Sequence, residues 1–176
     1  ASTKNAHRGQ LILKGFPTST LTVPQLEAHL LREEESLGIK FKTIVVDYLN
    51  LMCNYRNPNT ENTYMKIKQL CEDMRAMAQR NNWCVITATQ SKRENFGASD
   101  IRMEDVSESA GLVHTVDSLI GLIQNAQMYK IGQYEWKILC NRDGGYKNSK
   151  KLFLVDYSYM RLSECMQSAI IEDDGL

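Results

Sequence analysis

Apolar positions along the chain follow two rhythms. Val23, Leu26, Leu30 and Leu37 recur at helical spacing, as do Ile67, Leu70, Cys71, Met74, Met77 and Ala78. Thr22-Val23-Pro24-Gln25 has capping-box spacing with proline in the first turn, and Gly38 supplies a stop. Asn81-Asn82 ends the second helix. Three other runs are apolar without alternation: Phe41–Asp47 (FKTIVVD), Cys84–Thr89 (CVITAT) and Asp117–Gln124 (DSLIGLIQ). Such runs predict parallel strands buried on both faces. Gln10–Phe16 (QLILKGF) reads as a further short strand. Tyr134–Cys140 alternates, and Lys151–Asp156 returns after a Gly144-Gly145 turn, which predicts an antiparallel hairpin. The stretches 54–63 and 91–105 are polar loops. The expected fold class is α/β: a mostly parallel sheet flanked by helices, with a C-terminal antiparallel hairpin. Met65, Met74, Met77, Trp83 and Trp136 read as packing residues.

Composition narrows the classes. A chain of 176 residues has the length of one domain, and 43% hydrophobic with 24% charged residues is the balance of a globular one. Residues 1–164 are expected to form it, and the tail 165–176, acidic at Glu172, Asp173 and Asp174, to fray. Lys+Arg and Asp+Glu are both 21, so bulk charge argues for no polyanion partner and only local patches count. One such patch surrounds the hairpin, where Lys130, Lys137, Arg142, Lys147, Lys150 and Lys151 outnumber Glu135 and Asp143. No run approaches the roughly 18 apolar residues of a membrane span, and the polar start Ala1–Gly9 does not look like a secretory leader. Five scattered cysteines without CxxC or Cys/His clusters argue against a zinc site or a disulfide framework, and a cytoplasmic setting is expected. No G-x-S-x-G elbow supports a serine nucleophile.

Three residues carry candidate chemistry. Asp47 ends an apolar strand, which places a carboxylate at the carboxyl edge of a parallel sheet, where open α/β folds bind ligands. A carboxylate there suits a magnesium ion that keeps much of its water. Gln90 ends the next strand, and its amide can bond a terminal phosphate or orient a water. Arg142, in Asn141-Arg142-Asp143-Gly144, stands at the root of the hairpin turn, where a guanidinium can reach a transferring phosphoryl group across a subunit boundary.

In order, VVDYLNLM, ITATQSKRE, DVSESAGLVHTVDSLIGLI and CNRDGG resemble the ATPase domain of DnaB-type replicative DNA helicases, and within that family its T-even bacteriophage branch. The resemblance runs from about Gln10 to Glu164 and implies a RecA-like P-loop NTPase core. It implies ATP and Mg2+ as cofactors, single-stranded DNA as partner, and a hexameric ring of identical subunits with ATP at their interfaces. Primase and a helicase loader are further implied partners, in the cytoplasm of a bacterial host. Asp47 matches the Walker B aspartate, Gln90 the γ-phosphate sensor and Arg142 the arginine finger. Glu108-Ser109 matches an acid-serine pair that follows the DNA loop. By the same resemblance Arg56, Lys92, Arg93 and Arg102 lie on channel-lining loops and are the candidate DNA contacts.

The chain departs from the family pattern in three ways. It contains no G-x-x-x-x-G-K-[ST], so the first, Walker A strand and the catalytic glutamate are expected upstream of Ala1, and these 176 residues alone are expected to hydrolyse no ATP. Cys140 stands where many members carry lysine, and acids offset Lys92, Arg93 and Arg102 within the 91–105 loop. Without the first strand, Cys84–Thr89 and Asp117–Gln124 are expected to pair directly or through self-association, because an open gap leaves apolar edges unpaired. Two other readings stay open: a RecA-like recombinase, and a non-hydrolysing RecA-fold module that binds DNA or a partner.

Overall fold

The computed structural model describes residues 9–60, 62–90, 100–102, 114–145 and 148–165. Helix α1, Val23–Leu37, starts on the expected capping box: the Thr22 side chain accepts from the Gln25 backbone N–H, and the Thr22 N–H donates to Gln25 Oε1 at 3.0 Å. Pro24 lies in its first turn, and Gly38 closes it in the left-handed region at φ 64°. Helix α2, Thr63–Asn81, is capped by Asn62 and ends on Asn82, also left-handed. Its apolar stripe is the core: Ile67, Leu70, Cys71, Met74 and Met77 are buried against Val23 and Leu26 of α1. Leu37, expected on the α1 stripe, is exposed instead.

Strands β1, Thr43–Val46, and β2, Cys84–Thr87, pair in parallel, Ile44 opposite Val85 and Val45 opposite Ile86. Alternation along a strand sends Ile44, Val46 and Val85 into the core. Val45 and Ile86, on the other face, are 69% and 51% exposed. The expectation of burial on both faces is therefore corrected: helices cover one face only among the described residues. A short 3₁₀ turn, Leu49–Leu51, follows β1 and buries Leu49 completely.

The remaining strands form a second sheet, ordered β3-β4-β5-β6, all antiparallel: β3 Ser118–Ile123, β4 Gln133–Asn141, β5 Lys150–Asp156 and β6 Arg161–Glu164. A one-turn helix α3, Ala126–Lys130, joins β3 to β4. The expected hairpin is thus the centre of a four-stranded meander. β3 is expected to pair with β2 directly or through self-association; direct pairing does not form, and β3 bonds β4 along one edge, because a strand followed closely by a partner closes locally. β2 and β3 share no ladder, and Ile120 and Leu122 of β3 stay exposed. Gln10–Phe16 is no strand either: Leu11 and Leu13 are each 83% exposed. The segment lies beside β1 across a cavity of about 400 Å³ that reaches Asp47 and Tyr48. No described helix is long and apolar enough to cross a membrane.

Candidate functional site

Parallel pairing of β1 with β2 brings their carboxyl ends together, and with them Asp47 and Gln90. The Leu49 N–H donates to the Ala88 carbonyl at 3.3 Å, Thr89 Oγ1 to Asn50 Oδ1 at 3.0 Å, and Gln90 Nε2 to the Tyr48 hydroxyl at 3.1 Å. The peptide between Asp47 and Tyr48 is cis. Three cross-links thus tie the segment after Asp47 to the one that ends in Gln90. Both side chains are exposed, so both are open to a ligand from solvent. Tyr48, the partner of Gln90, is not among the residues that the sequence alone singles out; its adjacency to Asp47 is the available signal.

Arg142 belongs to the other sheet. It leaves the end of β4, and its N–H donates to the Asp117 carbonyl at 2.8 Å. Its Nη2 donates to the His114 carbonyl at 2.8 Å, and Nη1 lies 3.2 Å from Asp117 Oδ1. Arg75 of α2 reaches the same carboxylate at 2.8 Å and the Thr115 carbonyl at 2.6 Å. A bulge on β4 sets this alignment: Leu119 faces Cys140 but Ile120 faces Ile138, so Leu139 is the extra residue. Continuing the register past Ser118–Asn141 puts Asp117 opposite Arg142. From sequence Asp117 is only the start of a strand; its facing Arg142 follows from the antiparallel pairing, which a parallel reading hides.

The expected DNA contacts are differently placed. Arg56 is paired with Glu72 at 3.0 Å and with the buried Asp73. Its pKa is raised above the ordinary value, first by the Tyr55 side chain and then by Asp73. Arg102 is exposed and also engaged with neighbouring groups. Lys92, Arg93 and Glu108-Ser109 lie outside the described residues. The cationic hairpin patch is largely compensated: Lys137 and Lys150 reach Asp100 at 2.8 and 3.3 Å, Lys150 also meets Glu135, and Lys151 meets Glu164. Burial pushes Asp100 up, but the Lys137 bond and its neighbours hold its carboxyl below the usual value.

Among the described residues no three His, Cys, Asp or Glu side chains cluster as a metal cage. A lone exposed carboxylate such as Asp47 suits a cation that brings its own water and phosphate ligands, as magnesium does.

The profile of the DnaB-like helicase C terminal domain matches residues 3–161. The DnaB-like replicative helicase of Enterobacteria phage T4 is 30% identical over 148 residues, covering 84% of this chain and 31% of that protein. The chain thus spans well under half of that relative. Two solved structures superpose at TM-score 0.70 and 19% identity over 82% of this chain: an isolated ATPase domain, 52% covered, and a DnaB-like replicative helicase described with its interactions with primase, 36% covered. The structural likeness is one of fold, a RecA-like ATPase domain with its parallel β1–β2 pair and antiparallel meander. On the match across residues 3–161, the chain belongs to the DnaB-like helicase C-terminal domain family.

Proposed function

We propose that the chain is part of a hexameric, ATP-driven motor that translocates on single-stranded DNA and unwinds duplex. The observation that carries this reading is the apposition of Asp47 and Gln90 at the carboxyl ends of two paired parallel strands, with Arg142 rooted on a separate sheet. In a ring, one subunit supplies the first two residues and its neighbour supplies the third. Bound ATP with Mg2+ supplies the scissile phosphoanhydride and part of its charge neutralisation. Asp47 would hold the hydrated cation by its carboxylate. Gln90 offers an amide to the terminal phosphate or the attacking water, and passes its position to the loop that follows. Arg142 places a fixed positive charge where negative charge develops in the transition state. The phosphate-cradling loop comes from residues outside these 176.

The test uses assembled rings that include the phosphate-loop segment. Arg142→Ala is expected to leave nucleotide affinity intact and to slow hydrolysis by about 10³-fold or more. Asp47→Ala and Gln90→Ala act in their own subunit and abolish or strongly reduce turnover. Mixing Arg142→Ala with Asp47→Ala subunits restores activity at hybrid interfaces. Absence of rescue overturns action across the interface.

A further inference from the structure

We propose that Asp117 is the positioning residue of Arg142, fixing from within the same subunit the guanidinium offered to the next one. This inference rests on the finger reading above. Three contacts support it. The β4 bulge sets Asp117 opposite Arg142, and the backbone bond Arg142 N–H to Asp117 O anchors the Cα. The Asp117 carboxylate and the His114 carbonyl then take the two terminal nitrogens of the guanidinium. Asp117 is itself held by Arg75, whose Nη1 reaches the same oxygen, Oδ1, and also bonds the Thr115 carbonyl.

The geometry distinguishes positioning from concealment. Arg142 remains 42% exposed and Asp117 69% exposed, so the pair lies at the surface. A guanidinium has five N–H donors, and among the described residues only its terminal nitrogens are engaged, at His114 and Asp117. The rest of the fork stays open for an anion. Without Asp117 the long side chain samples many rotamers and spends a smaller fraction of time aimed outward. An exposed pair of this kind orders a side chain only several-fold, so the effect on turnover is graded, far smaller than removal of the arginine.

The test has two readouts. In the 176-residue chain, nitrogen-15 side-chain spectra of arginine report whether the Arg142 guanidinium rotates freely. Asp117→Asn is expected to release it, and Asp117→Glu, which keeps the charge, to restore most of the restriction. In assembled rings Asp117→Asn lowers kcat about threefold to fivefold with KM for ATP and ring assembly unchanged, the range that corresponds to an exposed pair. Mixed rings assign the subunit. Asp117→Asn with Asp47→Ala subunits exceeds the mean of the unmixed rings, whereas Asp117→Asn with Arg142→Ala subunits equals it. Rescue in the second mixture, an unchanged kcat with an unchanged Arg142 signal, or a loss of kcat that tracks loss of assembly overturns the proposal. If Arg142→Ala itself leaves kcat unchanged, the finger reading falls first. If Arg142→Ala is inactive while Asp117→Asn is normal in both readouts, only the present inference falls.

Discussion

Gly121 sits in β3 under the short described segment 100–102. A Cβ at that position would stand 2.5 Å from Ile101 Cγ2 and 3.3 Å from Leu139 Cδ1. Carbon atoms in contact prefer about 3.5–4.0 Å, so the Ile101 overlap is on the order of 1 Å. Cγ2 of a β-branched side chain is attached at Cβ and moves only with χ1 or with the backbone. Ile101 therefore has to change rotamer, or residues 100–102 have to lift from the sheet against the Asp100–Lys137 ion pair at 2.8 Å. Overpacking of this kind costs about 1–3 kcal/mol, a fall in Tm of about 2–4 °C per kcal/mol for a chain of this size. Ile101→Ala removes the clashing methyl and makes room. The double variant Gly121→Ala/Ile101→Ala should then be no less stable than Ile101→Ala alone, a coupling of about 1–3 kcal/mol in a double-mutant cycle. Urea unfolding of the four proteins measures it. Additive effects, or Gly121→Ala with wild-type stability, would refute the claim that Ile101 packs onto the bare backbone of Gly121.

Other outcomes follow from named contacts. Buried Glu34 accepts from Lys40 Nζ at 2.6 Å, the Phe41 N–H at 2.8 Å and Trp83 Nε1 at 3.2 Å, and the Lys40 bond foremost holds its pKa below the ordinary 4.5. A carboxyl depressed by folding stabilises above its unfolded pKa and loses that contribution as pH falls through the folded one. The urea midpoint of the wild type should therefore drop below about pH 4.5 more steeply than that of Glu34→Gln, and parallel curves would count against it. Thr22→Ala removes the Thr22 side-chain half of the α1 capping box and should cost about 1 kcal/mol in thermal melts, with Thr22→Ser close to wild type. Tyr48→Phe deletes the acceptor of Gln90 and should lower ring kcat by about twofold to tenfold with nucleotide affinity unchanged; loss of affinity in its place would mean that Tyr48 supports Asp47 rather than Gln90.

Local chemistry is legible in the sequence wherever one segment decides the outcome. Thr22, Gln25 and Gly38 bound α1 because caps act over three or four residues, and the α2 stripe from Ile67 to Met77 is buried because its period matches a helix face. The strands that lead to Asp47 and Gln90 lie side by side, since consecutive strands around a helix pair in parallel. Where the outcome depends on which strands pair, the sequence misleads. An apolar run such as Ser118–Ile123 has the same appearance whether its neighbour is parallel or antiparallel, and Val45 and Ile86, which look like core residues, stand exposed. The partner of a charge is equally hidden: Arg56 meets Glu72 and Asp73 only once α2 is folded beside its loop.

The bulge at Leu139 gives this chain an uneven tolerance to changes in length. Because the ladder, and not the turn, fixes the root of Arg142, insertions or deletions among residues 143–149 can lengthen or shorten the connection without disturbing it. Inserting a single residue between Leu139 and Asn141 would instead bring Asn141 opposite Asp117 and turn Arg142 to the other face of the sheet, since a strand reverses its sides with every residue of slip. Homologous chains that keep an arginine at this corner should therefore vary in size on the turn side of it and keep constant spacing on the strand side.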